Sequence, residues 1–286
     1  MTFVAAGKLN YRARAQRAEL LASRYPFAET VLRFFQHIAN FQREFSEELP
    51  HRWGKRPVAP AAGNLRAPLN LSVVLEPFRD FMLVVERRGP GPLATETRHL
   101  REQGATRWAE VLAKFWNTGL QEPVAEQNRE GGAEPSNAMQ EFLARAFLQP
   151  YSEFIVSALL PPTLPMIVCR CPRCNSLPLL GVLRPEGDGG RRFLQCSFCS
   201  QEWTFRRIFC AHCGEEEENK LPVYVAEEFP HIRVETCETC RHFLRTVDLT
   251  KDGNAIPMVD DLAAIPLSLW ARQNGYKRIQ DNLFGT

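Results

Sequence analysis

Four C-x-x-C pairs stand in the second half of the chain: Cys171/Cys174, Cys196/Cys199, Cys210/Cys213 and Cys237/Cys240. Thiolate sulfur is a soft ligand, and four thiolates in a tetrahedron suit Zn or a single Fe. A C-x-x-C turn supplies two of them at once. The first and second pairs are separated by 21 residues and the third and fourth by 23, close to the spacing of zinc-ribbon sites. Consecutive pairing then yields two four-cysteine sites. A cross-braced arrangement, in which the first and third pairs share a metal, fits the same sequence. A thioredoxin-like redox pair would want a βαβ setting, which the sequence does not offer.

Within each consecutive site lie short β-like runs bounded by turn residues: "LPLLGVLR" and "RRFLQC" around "PEGDGG", then "LPVYVAEE" and "HIRVETC" around "FP". Each site reads as a hairpin whose ends are clipped by one metal. A segment of about 30 residues has too little core to fold alone, and structural metal supplies the missing free energy. The turn behind a metal-binding C-x-x-C favours a residue tolerant of positive φ. Asn175 and Gly214 meet that demand, whereas Ser200 and Arg241 do not, so two of the four turns read as less standard.

Four thiolates around a divalent metal carry a formal charge of −2 that needs compensation. Arg170, Arg173, Arg191, Arg192, Arg206, Arg207, Arg241 and Arg245 all fall near the pairs in sequence. Residues 169–250 hold 11 Lys and Arg against 12 Asp and Glu, so these arginines read as charge balance rather than as an anion-binding patch. The "EEEE" run at 215–218 would repel a phosphate backbone. Cys169, the ninth cysteine, reads as a buried small residue. His212 is expected to point outward, and neither His231 nor His242 is expected to ligate metal while four thiolates are present. No Ser/His/Asp order, phosphate loop or carboxylate pair supports catalysis, so the chain reads as a non-enzyme.

The elements that position these cysteines follow a break in composition, since the first 168 of the 286 residues contain no cysteine. Before the break the pattern is helical. "YRARAQRAELLASR" is one helix and Tyr25-Pro26 ends it. In "ETVLRFFQHIANFQREFSEEL" an apolar stripe of Val31, Phe34, Ile38, Phe41 and Phe45 marks a second. Four prolines and two glycines over 50–68 predict a long surface connection. Further helices are expected over 69–88, 94–117, 136–148 and 151–160, with "QEPVAEQNREGGAEP" as a polar connection and "PPTLP" at 161–165 ending the run. The fold class is α+β: an all-helical domain over 1–165, two tandem rubredoxin-like or zinc-ribbon-like β modules over 166–205 and 206–250, and an extension with a short C-terminal helix over 251–286.

Net charge is only +2, which argues against nucleic acid or an anionic membrane as partner. No stretch approaches the ~20 apolar residues of a membrane helix, and the first residues lack the apolar core of a secretory signal. A cytoplasmic protein with reduced or metal-bound thiols is expected.

"CPRCNSLPLLGVLR", "RRFLQCSFCSQEWTFRRIFCAHCG", "VETCETCRHFLRTVD" and "DDLAAIPLSLWARQNGYKRIQDNLFG" resemble the FdhE family of formate dehydrogenase accessory proteins. "RAQRAELLASRYPFAETVLRFFQHIANFQ" is similar to that family's paired entry helices. The resemblance implies two rubredoxin-like iron sites in a cytoplasmic assembly factor that contacts the catalytic, molybdopterin-bearing subunit of respiratory formate dehydrogenase. Carried over residue by residue, the ligands are Cys171, Cys174, Cys196, Cys199, Cys210, Cys213, Cys237 and Cys240, with zinc as the alternative metal. Asn175 and Arg241 stand where such knuckles have glycine, and "NLF" stands for "NPF" near the end. A homodimer stays open. Two rival functions are a zinc-ribbon nucleic-acid binder, which should show a basic stripe with interleaved aromatics, and a rubredoxin-like electron carrier, which leaves the helical domain without a task.

Overall fold

A computed structural model describes residues 10–53, 65, 69–118, 135–159, 168–187 and 189–286. The first nine residues, most of the connection expected over 50–68, nearly all of the polar run at 121–135 and the "PPTLP" segment lie outside them.

Among the described residues six helices come first: α1 (Tyr11–Arg24), α2 (Glu29–Trp53), α3 (Leu71–Arg88), α4 (Gly91–Glu102), α5 (Ala105–Thr118) and α6 (Pro135–Ala158). Asn10 caps α1 by accepting from the Ala13 N–H at 3.0 Å. The chain then turns at Tyr25 through a short 3₁₀ turn that starts at Pro26.

Three helix expectations are corrected. The segment expected as one helix over 94–117 is two, because Gly104 takes φ +85°, a left-handed conformation that ends α4. The helices expected over 136–148 and 151–160 are one, with Pro150 inside α6. Proline lacks the N–H that would serve the carbonyl four residues back, and Gln42 Nε2 donates to that Ala146 carbonyl at 2.7 Å instead. Finally, α2 runs through Pro50 to Trp53, into the segment expected as a surface connection.

The cysteine-bearing region forms a single sheet. Its strands are β1 (Pro178–Glu186), β2 (Gly189–Cys196), β3 (Glu202–Thr204), β4 (Val223–Val225), β5 (Ile232–Thr236), β6 (His242–Asp248) and β7 (Lys277–Arg278). The order is β3-β2-β1-β6-β5-β4, with β7 beside β6. The expected hairpins β1/β2 and β4/β5 are antiparallel, and β6, which the sequence did not announce, pairs antiparallel with β5 and joins the two modules by running parallel to β1 through Gly181↔Thr246, Val182↔Val247 and Leu183↔Asp248. At this seam a Cβ on residue 181 would sit 2.2 Å from Thr246 Oγ1, so the close approach requires glycine. Two helices, α7 (Pro257–Ala263) and α8 (Ile265–Gln273), follow where one was expected.

The 25-residue α2 is the spine of the molecule. One face, with Phe34, Ile38 and Phe45, joins α3–α6 and the first four-cysteine group in one apolar cluster. The opposite face, with Leu32, Phe35 and Ala39, joins α1, α7 and the sheet residues Leu180, Val182, Val234 and Val247 in another. Buried ion pairs tie distant elements together: Arg14 with Glu153, Arg17 with Asp252 and Asp260, and Arg245 and Arg278 with Asp261.

Candidate metal centres

The pairs group consecutively. Sulfurs of Cys171, Cys174, Cys196 and Cys199 lie within 4.8 Å of one another, as do those of Cys210, Cys213, Cys237 and Cys240. The geometry rules out the cross-braced arrangement. Individual Sγ···Sγ distances are 3.6 Å for Cys171–Cys199, 3.3 Å for Cys174–Cys196, and 3.7 Å for both Cys210–Cys240 and Cys213–Cys237. Ligands about 2.3 Å from a tetrahedral zinc stand ~3.8 Å apart, so the sulfurs are spaced for a metal. They are far too distant for disulfides, whose S–S bond is about 2.05 Å.

The backbone explains why each turn presents its sulfurs inward. Asn175, Gly214 and Arg241 donate their N–H to the carbonyls of Cys171, Cys210 and Cys237 at 2.8, 3.1 and 2.9 Å. Residues two positions past each first cysteine aim N–H groups at its sulfur: Arg173 at Cys171, Phe198 at Cys196 and His212 at Cys210, over 3.3–3.4 Å. Such donors stabilise thiolate charge. The residue behind all four pairs has positive φ: Asn175 63°, Ser200 54°, Gly214 82° and Arg241 55°. Ser200 and Arg241 thus adopt the conformation that their residue types disfavour. Gln149 Nε2 donates to Ser200 Oγ at 3.0 Å. The Arg241 guanidinium lies 4.0 Å over the Tyr276 ring, donates to the Asn274 carbonyl at 2.7 Å and pairs with Glu238.

The two groups differ in setting. All four cysteines of the first are buried, and Phe198, between two of them, meets Phe115 and Trp116 edge-on at 5.4 and 5.8 Å. In the second group Cys213 is exposed and Cys240 half-buried. Burial pushes the Cys171 and Cys199 thiols well up, and Cys210 up to about 11. Four thiolates can be held in such places only against a cation, and the sulfur donor set fits Zn²⁺ or Fe. Near the first group, burial lowers the Arg173 and Arg145 guanidinium groups from their ordinary value, against the opposing charge of Cys171 and Cys199 at Arg173 and of Glu141 and Cys196 at Arg145. Arg145 also donates to the carbonyls of Ser197, Asp281 and Asn282, stapling the chain's last segment and a cysteine turn to α6.

The arginines singled out by sequence serve protein groups. Arg191, Arg192, Arg206, Arg241 and Arg245 pair with Glu186, Glu235, Glu216, Glu238 and Asp261. Arg170, Arg173 and Arg207 donate to the carbonyls of Asn175, Leu159 and Gly190. Cys169 is half-buried rather than buried, and burial first, then Cys213, pushes its thiol up despite Arg192.

Two arrangements escape a reading by sequence. His231 Nε2 sits 2.8 Å from Asp260 Oδ1, and although Asp252 completes a group able to hold a metal, Arg17 donates to both carboxylates. This cluster is an ion-pair network. The rings of His212 and His242 stack at 3.8 Å beside Cys240. Their only sequence signal is the placement of a histidine just before Cys213 and another two residues after Cys240.

Two family models match the chain: one described as FdhE, central domain, over residues 170–207, and one described as FdhE, C-terminal domain, over 208–284. The first contains the first four-cysteine group and the second contains the other. A protein named Protein FdhE homolog from Aquifex aeolicus (strain VF5) is 24% identical over 278 residues, spanning 94% of this chain and 93% of that protein. The Protein FdhE homolog of Pseudomonas aeruginosa is 37% identical over 121 residues, 40% of this chain and 38% of that protein. The crystal structure of the FdhE protein from Pseudomonas aeruginosa matches with a TM-score of 0.64 and 24% identity, covering 96% of this chain and 94% of that one, and shows a shared fold.

Proposed function

The chain belongs to the FdhE family, and from that premise we propose that it is an accessory protein in the assembly of respiratory formate dehydrogenase, acting in the cytoplasm by binding the catalytic subunit rather than by catalysis. Family membership carries this reading. Two mononuclear iron centres, with zinc as the alternative, are held by Cys171, Cys174, Cys196 and Cys199 and by Cys210, Cys213, Cys237 and Cys240. The metals clip the sheet into a platform. The units of the reading are a helical domain over 1–165, modules over 166–205 and 206–250, and an extension over 251–286.

The reading assigns the contact to the β4 edge of the sheet. Val223, Tyr224 and Val225 are all exposed there, with Leu269 also exposed and Tyr224 resting 4.6 Å from the Trp270 ring. Thr236 N donates to the Pro222 carbonyl. Alternation along the antiparallel ladder therefore turns the N–H and C=O of Val223 and Val225 away from β5. Such an edge accepts an extended strand. Exposed Glu216, Glu217, Glu218, Glu227 and Glu228 flank it, so the strand that fits is an extended, positively charged segment of the catalytic subunit.

Deleting the gene and assaying formate oxidation tests the function. The activity is expected to disappear, to return with the wild-type gene and not to return with the Cys210→Ser/Cys213→Ser variant. Tagged wild-type protein is expected to retain the immature catalytic subunit. Full formate oxidation in the deletion strain, with no catalytic subunit retained, would overturn the reading.

A further inference from the structure

The second four-cysteine group carries a feature that the first lacks. On its more open side, where Cys213 is exposed and Cys240 half-buried, stand the stacked imidazoles of His212 and His242, with ring centroids 3.8 Å apart and planes 14° from parallel. The ligand atoms of His212, His242 and Cys240 lie within 4.8 Å of one another. Among the described residues no histidine groups in this way with the first four cysteines.

The tautomer of His242 also suits a ligand. Its Nδ1 is 2.7 Å from the Cys240 carbonyl oxygen, and a carbonyl can only accept, so Nδ1 carries the proton and Nε2 the lone pair. Metal-binding histidines are commonly held in this way, one ring nitrogen donating to a carbonyl while the other faces the metal. His212 is exposed, and because the lone pairs of parallel rings lie in parallel planes, joint ligation of one cation requires its ring to turn out of the stack.

We propose that His212 and His242, together with the Cys240 sulfur, form an auxiliary site for a divalent cation of the Zn²⁺, Fe²⁺ or Co²⁺ class, through which metal passes into and out of the second centre. The proposal rests on the reading of Cys210, Cys213, Cys237 and Cys240 as metal ligands. A cation leaving four thiolates exchanges ligands stepwise. A two-nitrogen, one-sulfur set that shares Cys240 with the tetrathiolate gives it partners at the intermediate stage, and imidazole and thiolate both suit these metals. No electron is transferred. A thiolate that releases the metal takes a proton from solvent, and a thiol that binds it returns one. The first group, buried and, among the described residues, without imidazoles, exchanges slowly by comparison.

The test uses full-length protein produced with cobalt, challenged with excess EDTA while the thiolate-to-cobalt absorption is followed. Wild type is expected to lose its two tetrathiolate sites in separate fast and slow phases. The fast phase should be missing in Cys210→Ser/Cys213→Ser. His212→Phe, which keeps a ring to stack on His242 but offers no ligand, should slow the fast phase ~10-fold and leave the slow phase, the two cobalt ions per chain and the four-sulfur spectrum unchanged. His212→Asn, free of any steric demand, should do the same. An unchanged or accelerated fast phase in both variants would overturn the relay while the tetrathiolate reading stands. Wild type that forms no four-sulfur cobalt site would bring down the tetrathiolate reading and the relay with it.

Discussion

Gln42 on α2 donates its side-chain amide to the Ala146 carbonyl on α6 at 2.7 Å, the acceptor that Pro150 leaves without its helical N–H. A side chain from a neighbouring helix thus replaces a backbone hydrogen bond, and α6 continues for eight residues beyond the proline. Gln42 is fully buried, so no water substitutes for it.

Replacing Gln42 by Leu is expected to lower stability by about 1–3 kcal/mol, the cost of an unpaired buried carbonyl. In a Pro150→Ala background residue 150 regains its N–H, and the same Gln42→Leu change should cost markedly less. A double-mutant cycle by urea unfolding measures the coupling. Equal costs in both backgrounds would show that the amide does not serve the proline gap.

Arg17 neutralises two carboxylates at once, Asp252 at 2.7 Å and Asp260 at 2.5 Å. Arg17→Met strands the buried Asp260 charge beside His231, and a loss of about 3–5 kcal/mol is expected. Although burial raises it, Asp252 is held below the ordinary carboxylate value by the Arg17 hydrogen bond and charge and by the Asn254 N–H. Its folded-state value is depressed, so its contribution is complete above the unfolded-chain value near ~4 and is lost as pH falls through the folded value. Denaturation midpoints measured from neutral pH downward should show this acid-side loss in wild type and a smaller one in Arg17→Met.

The first centre shares an apolar cluster with α3–α6, whereas of the second only Cys210 and Cys237 are well buried. A structural tetrathiolate metal contributes on the order of 10 kcal/mol. Cys171→Ser/Cys174→Ser should therefore lower the thermal midpoint of the helical circular-dichroism signal, and Cys210→Ser/Cys213→Ser should lower it far less. Equal effects would mean that the helices depend no more on the first centre than on the second.

The seam between the modules is tested at Gly181. A methyl group there would collide with Thr246 Oγ1, and Gly181→Ala is expected to cost about 1–3 kcal/mol through overpacking. Thr246 Oγ1 is buried with no hydrogen-bond partner of its own, so Thr246→Ala should be mild alone and should recover much of the loss in the double variant. Unfolding midpoints of the four proteins decide it.

On the β4 edge, Val225 is 67% exposed. Val225→Pro leaves the core untouched while removing an outward N–H from the edge, and it should abolish retention of the catalytic subunit with little change in thermal midpoint. Retention at the wild-type level would move the contact elsewhere on the molecule.

What the residues determined by themselves is local. The C-x-x-C spacing makes turns that present two sulfurs, alternating apolar runs between turn residues make hairpins, and the stripe of Phe34, Ile38 and Phe45 makes α2 a buried helix. Each depends on the geometry of a few neighbouring peptide units. The grouping of the four pairs, by contrast, depended on which strands met, and it was decided by the sheet that sets β1 parallel to β6. Ser200 and Arg241 accept left-handed backbone because partners far along the chain, Gln149 and Tyr276, hold them there. Pro150 is tolerated because Gln42 lies across the groove. Arg17 and Asp260 stand 243 residues apart, and no periodicity links them. A local rule describes what a segment prefers in water, while a packed neighbour supplies the hydrogen bond, counter-charge or contact that overrides it. For this reason the eight cysteines could be read from the sequence, while the buried setting of one centre and the exposed, histidine-flanked setting of the other emerged only once the chain was folded.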